Sequence, residues 1–220
     1  MKKIVLFISV LCFTTALQAQ DITTMWPYKY SDFRNGTVYF INKKTLSAPV
    51  NVHLLKSTLH YLDNDQVKEV TTSEIVLVQI DEDNYFMRDN QLMRVLSGDS
   101  TGFVAELVLA DFGALTESGG AYGSSSNVQA TRKLSSLEIG GISITNHMEL
   151  KSNKESGSLL PLNTKYFIVT PDAVYPATRK GIESQLPDNK KDSFKQFLKQ
   201  NKVSWKRPES LSVLLNFFKD

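Results

Sequence analysis

The sequence predicts a mainly β protein, a barrel, roll or sandwich of short antiparallel strands with a small C-terminal helical unit. From Phe33 to about Val169 the apolar residues form short β-branched or aromatic runs separated by turn residues, a pattern typical of strands. After Pro176 the apolar residues adopt helical spacing instead. The change of period near Pro176 therefore separates a β-rich part from a helical part.

The first twenty residues have the layout of a secretory signal peptide. Two lysines precede a short apolar run, Ile4 to Phe13, and the small-residue exit Leu17-Gln18-Ala19 follows it. Cleavage after Ala19 predicts an exported, soluble protein that is periplasmic or secreted. The predicted organisation is a signal peptide over 1–19, a β-rich domain over 20–175 and a helical unit over 176–220.

The composition of the chain excludes several classes of functional site. Cys12 is the only cysteine and lies in the predicted signal, so the exported part has no thiol nucleophile, disulfide or cysteine-bound metal. Leu11 stands where a lipoprotein has a small residue, so we expect no lipid anchor. Acidic side chains exceed basic ones over 21–150, and basic ones exceed acidic ones over 176–220. We expect this basic tail to be a solvated helix face and not a nucleic-acid surface.

Ten short runs are predicted strands, and the polar segments between them suit hairpin turns. Asp81-Glu82-Asp83-Asn84 and the segment from Ser97 to Gly102 supply residues that tolerate the backbone angles of tight turns. In chain order the predicted strands are Thr37–Ile41, Val50–Leu54, Thr58–Leu62, Ile75–Ile80, Tyr85–Met87, Gln91–Leu96, Phe103–Leu109, Leu137–Ile139, Ile142–Thr145 and Tyr166–Thr170.

Residues 116–133 differ from their surroundings because they are mostly glycine, serine and other small or polar residues. A loop of this length is uncommon in a compact domain unless it is functional or disordered. Tyr122 lies among small polar residues and offers an amphipathic ring that suits a sugar or a protein partner. This segment is therefore either a mobile insertion or a working loop, and in a working loop Tyr122, Ser124 and Ser125 are the candidate binding residues.

The C-terminal unit is predicted to contain three helices. Ala177–Leu186 is a short one, a second begins at Asp192 or Ser193 and ends near Asn201, and a third begins at Pro208. Each longer helix carries an apolar stripe opposite charged residues. We expect these stripes to pack on each other or on the β domain.

Gly98-Asp99-Ser100-Thr101-Gly102 matches the G-x-S-x-G pattern of a serine-hydrolase elbow, which lies on a sharp turn from a strand into a helix. The next residues, 103–109, alternate like a strand, so the pattern favours a hairpin turn. Asp111 and His147 would complete the chain order of a hydrolase triad, but with three histidines in the chain such an order arises easily by chance. A serine hydrolase using Ser100 is therefore an alternative to a binding function.

No metal or cofactor is predicted. His53 and His60 lie across a predicted hairpin and face each other only if its register allows it, and no third ligand accompanies them. His147 and Glu149 share a face of a predicted strand, where a surface pair is the default. The acidic run 81–83 lacks the alternating ligands and the glycine of a calcium loop.

Several segments carry a resemblance to a known group of proteins. They are Phe33 to Phe40, Asn51 to Leu55, Leu59 to Asp63, Gly120 to Ser126, Leu186 to Lys191 and Phe197 to Lys202. With these segments the chain resembles a family of uncharacterised exported proteins of Bacteroidota, and its most specific element is Gly-Ala-Tyr-Gly-x-Ser-Ser. The resemblance implies an exported protein of that lineage and no particular reaction. Asn51-Val52-His53 departs from the Asn-Tyr-Asn of relatives.

The sequence favours a non-enzymatic binding or interaction module of the cell envelope, because it has an export signal and an atypical loop but no coherent catalytic set. The expected partner is an envelope protein or a glycan, with no nucleic acid and no transmembrane segment. Besides the hydrolase, a second alternative to the binding function is a structural component of an envelope assembly that docks through 176–220. The oligomeric state is open.

Overall fold

The computed structural model describes residues 22–71, 74–111 and 145–219. In these residues the chain is mainly β with a small C-terminal helical part, which confirms the predicted fold class. The strands are β1 Arg34–Phe40, β2 Thr45–His53, β3 Thr58–Asp63, β4 Gln66–Glu69, β5 Ile75–Ile80, β6 Asp83–Arg88, β7 Gln91–Asp99, β8 Gly102–Ala110, β9 Thr145–Asn146, β10 Leu162–Val169 and β11 Val174–Pro176.

The described strands form one antiparallel sheet in the order β11-β10-β8-β7-β6-β5-β1-β2-β3-β4-β9. It contains two four-stranded meanders, β1–β4 and β5–β8, which join side by side through their first strands. Val38 of β1 lies opposite Val78 of β5 at this junction. Tight turns link the strands within each meander, and Asn64-Asp65 and Asp89-Asn90 have positive φ at both positions. This is the type I′ geometry that matches the twist of hairpins.

The sheet curls until the turn between β2 and β3 reaches the other meander. The Leu92 backbone N–H donates to the Ser57 carbonyl at 2.8 Å, and the Ala110 N–H donates to the Leu54 carbonyl at 2.8 Å. The alternating apolar residues of six strands fill the enclosed face, because only one face of each strand is removed from water. This core contains Tyr30, Val38, Val50, Val52, Leu59, Val70, Ile75, Val78, Ile80, Tyr85 and Leu92.

The C-terminal helices pack on the β8–β10 side of the sheet. Val104 of β8 and Ile168 of β10 share a buried cluster with Ile182, Phe194 and Leu211. The helices are α1 His147–Ser152, α2 Arg179–Gln185, α3 Asp188–Gln200 and α4 Pro208–Leu211, and the 3₁₀ helix Ser212–Phe218 follows α4. None of the helices in the described ranges has the length and apolarity needed to cross a membrane.

The structure corrects several boundaries. α3 begins at Asp188, four residues before the predicted start, since Pro187 has φ −61° at its N-cap and an acidic residue in the first turn suits the helix dipole. The third predicted helix is one short α-helical segment followed by 3₁₀ turns. His147 and Glu149 lie in α1 and not on a strand, because the Asn146 side chain caps that helix. Predicted strand 137–139 lies outside the described residues.

Candidate functional site

A polar cluster lies where the segment before β1 crosses the end of β2. Tyr28 forms an isolated bridge with His53, and its Oη lies 2.9 Å from Nδ1 of His60. His60 Nε2 lies 3.4 Å from Oε2 of Glu69. The His53 and His60 rings stack with centroids 4.8 Å apart and planes 12° apart. The hairpin register therefore brings the two predicted histidines into contact.

Burial favours the neutral forms of Tyr28 and His53 in this cluster. Burial, and then the charge of Glu69, raise the pKa of Tyr28 far above its ordinary value. Burial, then His60, then Lys56 lower the pKa of His53 well below 6.5. The hydrogen bond from His60 is the main cause that lowers the pKa of Glu69. The contacts from Tyr28 to His60 and from His60 to Glu69 attach the segment before β1 to the sheet. Because Tyr28 is fully buried and keeps its proton, its hydroxyl is not available as a nucleophile.

The third histidine borders the same group of aromatic rings. His147 lies 6.3 Å from Trp26 and 5.3 Å from Phe33, measured between ring centroids. Nε2 of His53 and Nε2 of His147 are buried and have no hydrogen-bond partner among the residues that the structure describes. In the described part of the chain no group of three or more histidine or acidic side chains is arranged to hold a metal ion.

An ion-pair network ties the same segment to β6, β7 and β8. Lys29 Nζ lies 2.9 Å from Glu106 Oε2, and Arg94 bonds Glu106 at 3.1 Å and Asp83 at 3.3 Å. The Tyr30 hydroxyl donates to Asp83 at 2.6 Å. Burial is the main cause that lowers the pKa of Lys29, and Glu106 opposes it. Two cations and two carboxylates balance one another, so the network is satisfied internally.

An open groove lies on the outer face of β2, β1 and β5, at the junction of the two meanders. Its volume is about 460 Å³, within the range of about 300–1,000 Å³ typical of small-molecule sites. Ser47, Thr37 and Gln79 lie side by side across the three strands because Thr37 pairs with both others. The lining residues are Asn35, Gly36, Thr37, Ser47, Ala48, Pro49, Gln79 and Asp81.

The groove keeps its shape because Gly36 has no side chain. A Cβ at Gly36 would collide with the Val50 side chain and lie 2.9 Å from the Gln79 carbonyl oxygen. Val50 belongs to the buried core, so it has little room to move away. The close approach of β1 to both neighbours therefore requires glycine at this position.

The groove presents hydrogen-bonding groups with little net charge. Its one acidic residue, Asp81, is paired with Arg34 at 3.2 Å. Among the described residues, no partner occupies the side-chain amides of Asn35 and Gln79. Tyr39 is 38% exposed and lies two residues beyond Thr37 on the same strand face. The surface thus combines two amides that have no partner in the described part of the chain, a pair of hydroxyls that bond each other at 3.4 Å, and an exposed ring.

The site residues predicted from the sequence lie in two separate parts of the chain. Tyr122, Ser124 and Ser125 lie outside the described residues. Ser100 is exposed in the two-residue turn between β7 and β8, where Asp99 pairs with Gly102. This is a strand-to-strand hairpin and lacks the helix of a nucleophile elbow. Asp99 accepts from the Thr101 N–H and pairs with Lys219, so the motif stabilises a turn.

Sequence reasoning did not single out the groove residues. Their signal is the polar alternation of Asn35 and Thr37 in β1 and of Thr45 and Ser47 in β2. Comparison with family models, curated proteins and solved structures found no match to this chain.

Proposed function

We propose that the protein is a non-enzymatic binding module of the cell envelope and that it holds its partner in the groove of β1, β2 and β5. The observation that carries this proposal is the contrast between the buried and the open polar groups. The polar groups of the Tyr28 and Lys29 clusters are largely bonded to one another, whereas the Asn35 and Gln79 amides face an open depression.

Polar groups that already bond one another are not available to a ligand, whereas unpaired donors and acceptors on an open surface can bind one. A neutral side-chain amide has two donor hydrogens and an acceptor oxygen, and each hydroxyl both donates and accepts. Catalysis needs in addition a nucleophile or base within reach of an open site. Tyr28 is buried, and Ser100 lies in a hairpin turn. The described residues therefore support binding over the serine-hydrolase alternative.

Co-sedimentation with a purified envelope fraction tests the proposal. We expect the wild type to sediment with the envelope and the double variant Asn35→Ala, Gln79→Leu to remain mostly in the supernatant. Gln196→Leu is the matched control, because Gln196 is an exposed glutamine on α3, away from the groove. Urea unfolding of each variant separates loss of binding from loss of folding. Equal sedimentation of the double variant and the wild type would overturn the groove assignment.

A further inference from the structure

We infer that the groove binds a neutral oligosaccharide, an inference that rests on the binding function proposed above. The donors and acceptors of the groove, its charge, its length and its neighbouring aromatic ring each narrow the class of ligand.

The hydrogen-bonding groups of the groove suit hydroxyls. Asn35 and Gln79 each offer donors and an acceptor, and the hydroxyls of Thr37 and Ser47 lie 3.4 Å apart. A sugar hydroxyl also donates and accepts, so it satisfies an amide and a neighbouring hydroxyl at once. A peptide backbone offers one donor and one acceptor per residue at fixed spacing, and it finds an exposed strand edge more readily than a sheet face.

The charge of the groove excludes strongly ionic ligands. The lining includes one carboxylate, Asp81, and the adjacent Arg34 guanidinium pairs with it. A polyanion needs several unpaired cations, and a polycation needs several unpaired carboxylates. Neither set lines the groove. A ligand without net charge is therefore complementary to this surface.

The dimensions of the groove fit a short saccharide. Three strands spaced about 4.8 Å apart give the row Ser47–Thr37–Gln79 a length of about 10 Å, enough for about two pyranose rings. Tyr39 lies beside the middle of this row, two residues from Thr37 on the same strand face, and exposes part of its ring. The apolar face of a pyranose stacks on such a ring while its hydroxyls reach the polar row.

Titration of the isotopically labelled full chain with neutral hexasaccharides of glucose, of mannose and of N-acetylglucosamine tests the inference. A heparin hexasaccharide and a chitosan hexamer serve as the anionic and cationic probes. We expect at least one neutral probe to shift the amide signals of β1, β2 and β5. We expect Tyr39→Ala and Gln79→Leu each to weaken its affinity about tenfold, while Gln196→Leu leaves it unchanged.

The outcomes separate this inference from the proposed function. Preference for the heparin or chitosan probe overturns the neutral ligand class. If no saccharide binds but groove variants still abolish sedimentation with the envelope, the saccharide inference is wrong and the binding function stands. If groove substitutions change neither saccharide binding nor sedimentation with the envelope, both the saccharide inference and the proposed groove function are wrong. Unchanged urea midpoints for Tyr39→Ala and Gln79→Leu show that the variants are folded.

Discussion

Removing the imidazole of His53 is expected to reduce the loss of stability on acidification. His53 is buried, and its pKa lies well below 6.5 because of burial, then His60 and Lys56. In the unfolded chain its pKa is about 6.5. Below this pH the unfolded state binds a proton that the folded state does not bind. The free energy of unfolding therefore falls as pH decreases through 6.5.

The size of the effect follows from proton linkage. While folded His53 stays neutral, each pH unit below 6.5 removes about 1.4 kcal/mol of unfolding free energy, or about 2 kcal/mol between pH 7.5 and pH 5. The lowered pKa of Glu69 acts in the same direction but in a more acidic window, below its ordinary value of 4.5. His147 also has a lowered pKa, chiefly from burial, and it titrates in the window of His53. Comparing a His53 variant with the wild type isolates the contribution of His53 to the pH dependence of the unfolding free energy.

Urea unfolding of wild type, His53→Leu and His147→Gln at pH 7.5, 6.5, 5.8 and 5.0 measures the linkage. His53→Leu also removes the buried Nε2, which has no hydrogen-bond partner within 22–71, 74–111 and 145–219. Burying such a group is costly, so at pH 7.5 we expect its removal largely to offset the lost ring contacts. Between pH 7.5 and 5 the variant should lose about 2 kcal/mol less than the wild type. His147→Gln should retain the His53 contribution. Parallel pH profiles for His53→Leu and wild type would refute the reasoning.

Three further substitutions have defined expectations. Glu106→Gln leaves the charges of Lys29 and Arg94 without their shared carboxylate, and we expect a loss of about 2–3 kcal/mol in urea unfolding. Phe194→Ala empties a fully buried position on the face of α3 that packs on the sheet, and we expect a loss of about 3–5 kcal/mol in the same assay. Ser100→Ala should change neither stability nor labelling by a fluorophosphonate probe, because Ser100 lies in an exposed hairpin turn.

Each expectation has a result that contradicts it. A Glu106→Gln protein as stable as the wild type would show that the ion pairs contribute little. A Phe194→Ala protein with wild-type stability would mean that the helices do not share the core of the sheet. Labelling of the wild type that disappears in Ser100→Ala would support the hydrolase alternative.

Strands with strong alternation or dense apolar content could be predicted from the sequence. β5 was predicted with its exact bounds, Ile75–Ile80, because four of its six residues are β-branched. β4 was missed because Val67 is its only apolar residue and its register depends on β3. α3 begins earlier than predicted because its first turn, 188–191, contains no apolar residue.

The site depended on tertiary register and could not be predicted. The spacing of His53 and His60 allowed a contact, but only the pairing of His53 with Thr58 and of Asn51 with His60 brings the rings together. The groove joins residues of β2 and β1 to Gln79, which lies far along the chain. Nothing local to Gln79 specifies that β5 pairs with β1.

The junction of the two meanders has a consequence for cooperativity. Each meander contains mostly local pairings, whereas β1 and β5 must meet across the whole of β2–β4. The groove lies on this seam, so a ligand there binds only molecules in which both halves have docked. In native-state hydrogen exchange, ligand should slow the seam amides of Thr37 and Gln79 by the same factor as the global unfolding reaction. A ligand bound in the groove would then make the two meanders unfold together as one cooperative unit.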